Sequence, residues 1–195
     1  EQWKVLKRAE EHNVNLRDVE LVEIHDDARL EEAAEELWKM RQRKGMTRAG
    51  VRAWLRNPTV YASMMVRRGE ADGVLGGLAN PYADTLRPAL KVIGRNPEAE
   101  LISGVYVMLF EGRRLFFGDC TVNRQPSAED LAQIAFNTAS VCRTFGDEPR
   151  VAMLSYSDFG EHREDAEVRR MAEAADLVRE RWPSLPVDGE MQADT

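Results

Sequence analysis

Residues 71–94 read ADGVLGGLANPYADTLRPALKVIG. ADGVL has the composition of a short strand, GGLANPY that of a loop, and a helix is expected from about Asp84 or Thr85 to Ile93, stopping at Gly94. Strand, loop and helix amino terminus follow one another in this order at the ligand edge of open α/β sheets. The first-turn N–H groups of such a helix are free, Pro88 needs none, and Arg87 adds a planar fork of charged donors. Phosphate or carboxylate is the natural ligand of that arrangement. A purely structural reading fits the same letters: Asp84 or Thr85 caps the helix, Gly77 permits a turn, and Arg87 pairs with a nearby carboxylate.

The pattern continues on both sides. Strand-like runs rich in Val, Ile, Phe and Tyr occur at 19–26, 71–77, 101–110, 113–120, 150–157 and 185–191, each bounded by turn residues. Helical patterns lie between most of them. After Pro126, residues Leu131, Ile134, Ala135, Thr138, Val141, Cys142 and Phe145 recur at helical spacing, and Ser127 with Asp130 forms a capping box. A second helix is expected over 163–182, stopping before Pro183, and a third begins at Asn57-Pro58-Thr59 and runs to Gly69. Alternation of this kind argues an α/β domain with a mostly parallel sheet sandwiched by helices. The runs 101–110 and 113–120 are separated only by Glu111-Gly112 and read as an antiparallel hairpin, so a mixed sheet is expected.

A chain of 195 residues with 43% hydrophobic and 31% charged residues can bury a substantial core. Its net charge of −7 and pI of about 5.2 argue against a nucleic-acid partner, which calls for a basic stripe. The one basic cluster, MRQRKGMTR at 40–48, is short and follows the acidic EEAAEE at 31–36, so by itself it reads as a solvated helix end. No apolar run approaches the roughly 18 residues that span a bilayer, and no membrane role is expected. Cys120 and Cys142 form no CxxC pair and no secretory signal is visible, which points to the cytoplasm; a disulfide between them is left open. The abrupt start in EQWKVLKRAEEH and end in DGEMQADT suggest a fragment of a longer chain.

A second candidate site follows the strand at 150–154, where Ser155, Ser157 and Asp158 can orient a ligand or simply build a turn. The DFG letters at 158–160 stand without a glycine-rich phosphate loop or an HRD stretch, so they do not mark a kinase. His12, His25 and His162 have no ligand spacing with the cysteines, and no metal site is expected. No serine stands in a GxSxG elbow. Asp119 either lines a cleft or caps the turn toward Pro126.

Taken in order, ADGVLGG, ADTLRPALKVIG, SGVYVML, FFGDCTVNRQPSAEDLAQIA, EPRVAMLSYS and VDGEMQADT resemble successive motifs of the phosphate acetyl/butyryl transferase family across nearly all of residues 1–195. The resemblance implies one transferase-like domain over 1–195. It also implies the two-lobed phosphotransacetylase-like architecture, akin to isocitrate and isopropylmalate dehydrogenases, incomplete at its ends. Its ligands would be acetyl-CoA or a related acyl-CoA or acyl phosphate, and its state a homo-oligomer, at least a dimer. Arg87 matches an arginine that holds the phosphate or acyl end, and Arg41 a second cleft arginine. The family's catalytic serine–arginine motif lies nearer the carboxyl terminus than Thr195, so the resemblance assigns no catalytic residue here.

Two groups of the family differ where transacetylases carry small hydroxyl residues. Those places hold Asn80-Pro81-Tyr82 and Asp158-Phe159-Gly160. With the stretches 41–59 and 62–73, they resemble the carboxyl-terminal domain of large NADP-dependent malic enzymes. The expectation is therefore a regulatory domain without activity of its own, which binds acetyl-CoA as an allosteric effector through Arg41, Asn80, Tyr82, Asp84, Thr85, Arg87, Ser155, Ser157 and Asp158. It needs no cofactor itself; NADP and a divalent metal would serve the absent malic-enzyme part. The alternatives are an active phosphate acetyltransferase and an oligomerisation domain with a decayed cleft.

Overall fold

Leu30, Ala33, Ala34 and Leu37 repeat at helical spacing, and that stripe seeds the first of two cores. The computed structural model describes residues 2–25, 28–97 and 99–195. It divides into two units, Glu1–Gly94 and Arg95–Thr195.

The first unit is helical: α1 (Gln2–Glu11), α2 (Ala28–Arg41), α3 (Arg48–Leu55), α4 (Pro58–Arg67) and α5 (Tyr82–Pro88), with a short 3-10 turn at Gln42–Lys44. The α2 stripe packs with Val51 and Leu55 of α3, Val60, Tyr61 and Met64 of α4, and Val92. The starts of α3 and α4 have a local cause. The Thr47 hydroxyl accepts from the Gly50 N–H at 3.0 Å, and the Asn57 side chain accepts from the Thr59 N–H at 2.9 Å with Pro58 in the first turn, as expected for that motif.

The second unit carries both sheets. β1 (Val105–Phe110) and β2 (Arg113–Gly118) form the expected two-residue hairpin, in register from Val105 opposite Gly118 to Phe110 opposite Arg113, with Gly112 at φ 75°. α6 (Ala128–Thr144) starts in the expected capping box: the Ser127 hydroxyl accepts from the Asp130 N–H at 3.1 Å, and the Asp130 carboxylate accepts from the Ser127 N–H at 3.0 Å. β3 (Val151–Leu154), α7 (Ala166–Arg181) and β4 (Val187–Met191) make a strand–helix–strand unit whose strands pair in parallel. Ala132, Ala135 and Ala139 of α6 meet Ala174, Ala175 and Val178 of α7, small side chains that let the helices approach closely. Phe136 stacks on Trp182 with ring centroids 4.4 Å apart.

The α/β class holds, with parallel and antiparallel pairing both present. Among the described residues, though, the strands form two separate two-stranded sheets rather than one. The runs at 19–25 and 71–77 are not strands in this structure; residue 26 of the first run lies outside the described residues. A strand exists only where a neighbour offers a matching ladder, and these stretches find none among the described residues. In the second run Leu75 is fully exposed, whereas Ile24 of the first packs against the helical core. Cys120 and Cys142 are both free thiols, one exposed and one buried. No helix of the described residues is long and apolar enough to cross a membrane.

Candidate anion-binding site

α5 starts at Tyr82, two residues before the expected cap, and neither Asp84 nor Thr85 caps it. Asn80 ends a bend at 78–80, and Pro81 leads the chain into the helix with its carbonyl accepting from the N–H groups of Asp84 at 3.0 Å and Thr85 at 3.4 Å. Pro88 has no N–H to give, and a wide turn at Ala89–Ile93 follows it directly. Gly94, at φ 83°, closes that turn through its N–H to the Ala89 carbonyl at 3.0 Å. The expected stop at Gly94 is thus confirmed.

On this short helix the candidate side chains have different standing. Asn80, Tyr82, Asp84 and Arg87 are exposed, while Thr85 is half-buried. Arg87 donates to the Asp84 carboxylate at 3.1 Å, the carboxylate pairing foreseen for it. The two side chains are 57% and 56% exposed, so the pair contributes only about 0.2–1 kcal/mol and is easily exchanged. The Thr85 hydroxyl is buried and has no hydrogen-bond partner. It lies 3.5 Å from where a side chain would begin at Gly77, whose φ of 103° suits only glycine. Arg41 comes from another element, the end of α2; its Nε is also buried without a partner.

In the second cluster, in the other unit, Ser155 and Asp158 bond within their own surroundings while the Ser157 hydroxyl does not. The Ser155 hydroxyl accepts from the Ser157 N–H at 3.2 Å. Asp158 accepts from the Gln192 N–H at 2.8 Å and the Thr195 hydroxyl at 2.7 Å, and those bonds hold its carboxyl below the usual range. Ser157 is 1% exposed, and its hydroxyl has no partner. Sequence reading missed Glu190, which is buried and whose carboxylate takes the Gly160 N–H, tying the loop to β4. No local sequence signal marks it, because it meets the loop from 30 residues away.

Asp119 resolves toward the cap. Its carboxylate accepts from the N–H groups of Gly104, Thr121, Val122 and Asn123 at 2.8–3.3 Å, and from the Asn123 side chain. Partial burial opposes its ionisation, but the bonds from Val122, Asn123 and Gly104 outweigh it and hold the group below the usual carboxylate range.

The chain is a mixed α/β protein whose short helix α5 carries Arg87 and the unpartnered Thr85 hydroxyl, and comparison with known proteins places it in a family. The phosphate acetyl/butaryl transferase family model matches residues 1–195, and the chain belongs to that family. It is 40% identical over 182 residues to a phosphate acetyltransferase of Synechocystis sp., covering 93% of this chain and 26% of that protein. It is 39% identical over 191 residues to a phosphate acetyltransferase of Corynebacterium glutamicum, covering 98% of this chain and 58% of that protein. Among solved structures, it superposes on the EutD phosphotransacetylase from Staphylococcus aureus with a TM-score of 0.81 at 30% identity, covering 98% of this chain and 59% of that one. The chain thus spans between about a quarter and three-fifths of the length of these relatives.

These findings overturn the malic-enzyme reading. The relatives are phosphate acetyltransferases, matched along nearly the whole chain, and nothing in the comparisons points to a malic-enzyme parent, NADP or an allosteric role. Residues of the loop differences that suggested it also have structural roles. Pro81 starts α5, and Asp158 anchors the segment after β4.

Proposed function

We propose that the chain is part of an active phosphate acetyltransferase that moves an acetyl group between coenzyme A and phosphate. The observation that carries this reading is the 39% identity to the Corynebacterium glutamicum phosphate acetyltransferase over 98% of the chain. In the direction from acetyl phosphate, the coenzyme A thiol loses its proton, sulfur bonds to the acetyl carbonyl carbon, and the carbon–oxygen bond to phosphate breaks. Inorganic phosphate leaves with that bond's electron pair and takes up the proton that the thiol gave up. The chemistry places anionic oxygens at both ends of the reaction, so it needs cationic donors that do not themselves react.

Arg87 suits that task. Its partner Asp84 is a weak surface pair, and a charge-assisted phosphate bond of about 1.5–3 kcal/mol displaces it. Thr85 and Arg41 carry unpartnered buried donors in the same unit and are proposed to serve acetyl-CoA or acetyl phosphate alongside it. Asn80, Tyr82 and Asp84 frame the helix start and are proposed as its polar rim. A spectrophotometric assay of acetyl transfer from acetyl phosphate to coenzyme A with the complete protein is expected to show turnover. A folded protein without turnover in either direction would overturn the reading.

A further inference from the structure

α5 is seven residues long, too short to hold a fixed direction on its own. It ends at Pro88, whose missing N–H removes one bond between the helix and the wide turn Ala89–Ile93 behind it. How Arg87 is presented therefore depends on what grips that turn.

The turn is gripped from several sides of its own unit. The Val92 side chain is fully buried in the helical core, a contact that anchors without setting a direction. The Lys91 ammonium stands 5.8 Å from the centre of the Trp54 ring on α3, near the outer limit of a cation–π contact. The directional bond comes from α4. The last carbonyls of a helical turn have no helical N–H to meet, and Nη1 of Arg67 donates to the Val92 carbonyl at 3.2 Å. Nε of the same guanidinium lies 3.5 Å from the Glu36 carboxylate on α2, the helix that ends in Arg41. One side chain thus ties α4 both to the helix that carries Arg41 and to the turn that follows Arg87.

Arg68, the next residue, supplies the contrast. Its guanidinium also reaches α2, at Glu32 (3.2 Å), and it pairs with Glu70 at 3.1 Å, but these described bonds do not go to the turn.

We infer that Arg67 is a positioning residue of the anion site: through the Val92 carbonyl it fixes the turn behind α5 and so sets where Arg87 meets the phosphate end of the substrate. It acts through Arg87 and not on the ligand. The inference rests on the transferase reading for the identity of that ligand.

Steady-state kinetics of the complete protein, with acetyl phosphate varied at saturating coenzyme A, test it. Arg67→Ala is expected to raise KM for acetyl phosphate about threefold to tenfold with kcat within about twofold of native, the mark of weakened binding. In the Arg87→Ala background the same change is expected to add less than about twofold, because a residue that acts only through Arg87 has nothing left to position. Arg68→Ala, the matched loss of charge on the same helix, is expected to leave KM unchanged. The Gly94 amide, which closes the turn on the Ala89 carbonyl, is expected to exchange about tenfold faster in Arg67→Ala than in Arg68→Ala. An unmoved KM in Arg67→Ala, even beside a lowered unfolding midpoint, would make Arg67 a structural tie only and overturn the inference. Full multiplication of the two effects in the double variant, an equal rise of KM in Arg68→Ala, or equal Gly94 exchange in the two variants overturns it as well. Absence of turnover in the native protein defeats the transferase reading and this inference together, whereas turnover with any of those failures defeats this inference alone.

Discussion

Two aspartates of this protein, each near a helix start, are used in opposite ways. The loop after β2 places Asp119 ahead of α6, while α5 carries Asp84 within its first turn. Around Asp119, four backbone N–H groups and an amide side chain converge on one carboxylate, so nothing is left to offer a ligand. Around α5, Asp84 caps nothing, Arg87 is tied only to an exposed neighbour, and the Thr85 hydroxyl has no partner. A loop that satisfies itself is architecture. One that leaves donors unmatched has the capacity to bind, because an unmatched buried donor costs about 1–3 kcal/mol until something pairs with it.

The largest effect tests the self-satisfied loop. Asp119→Ala strands its donors and is expected to destabilise the fold by about 3 kcal/mol, the loss of charged hydrogen bonds in a half-buried setting. The midpoint of denaturant unfolding measures it. The pH dependence has a definite sign: a carboxylate held below its ordinary value stabilises the fold above that value, and the contribution is lost as pH falls through the lowered one. The stability gap between the native protein and Asp119→Asn should therefore shrink as pH drops below about 4. A gap constant from neutral pH to about pH 3 would mean that the charge does no work there.

The contrast between these loops also marks what was legible beforehand. The capping box at Ser127, the two-residue turn at Glu111-Gly112 and the stop at Gly94 are local chemistry, and each falls where the letters place it. The runs at 19–25 and 71–77 look equally strand-like, yet a strand depends on a partner that no local pattern reveals. The same limit applied to the sites. Arg87 and Thr85 could be singled out from the sequence, but that Asp158 would be consumed by Gln192 and Thr195, over 30 residues away, could not. The malic-enzyme reading rested on the letters at 80–82 and 158–160, and the phosphate acetyltransferase relatives overturn it.

Next in size is Arg87→Ala. If the loop before α5 binds the anionic end of the substrate, removing the guanidinium raises KM for acetyl phosphate roughly tenfold to a hundredfold, the equivalent of about 1.5–3 kcal/mol. Stability should move by less than about 1 kcal/mol, because only the exposed Asp84 pair is lost. Arg87→Lys keeps the charge without the planar fork and is expected to recover part of the affinity. A KM unchanged in both variants would reduce Arg87 to the surface partner of Asp84 and erase the difference between the two loops.

The smallest effect is the most discriminating. Thr85→Val replaces a hydroxyl by a methyl of similar shape at an atom that has no protein partner. In a self-satisfied loop such a change breaks a bond and costs stability, as Asp119→Ala does. Here no bond is broken, and removing an unmatched polar atom leaves stability unchanged within about 0.5 kcal/mol or raises it. Substrate binding is the only place left for a loss to appear, and one neutral hydrogen bond of about 1 kcal/mol predicts a rise in KM of about fivefold. A clear fall in unfolding midpoint with KM unmoved would reverse the assignment, making the hydroxyl structural and leaving Arg87 to hold the anion without it.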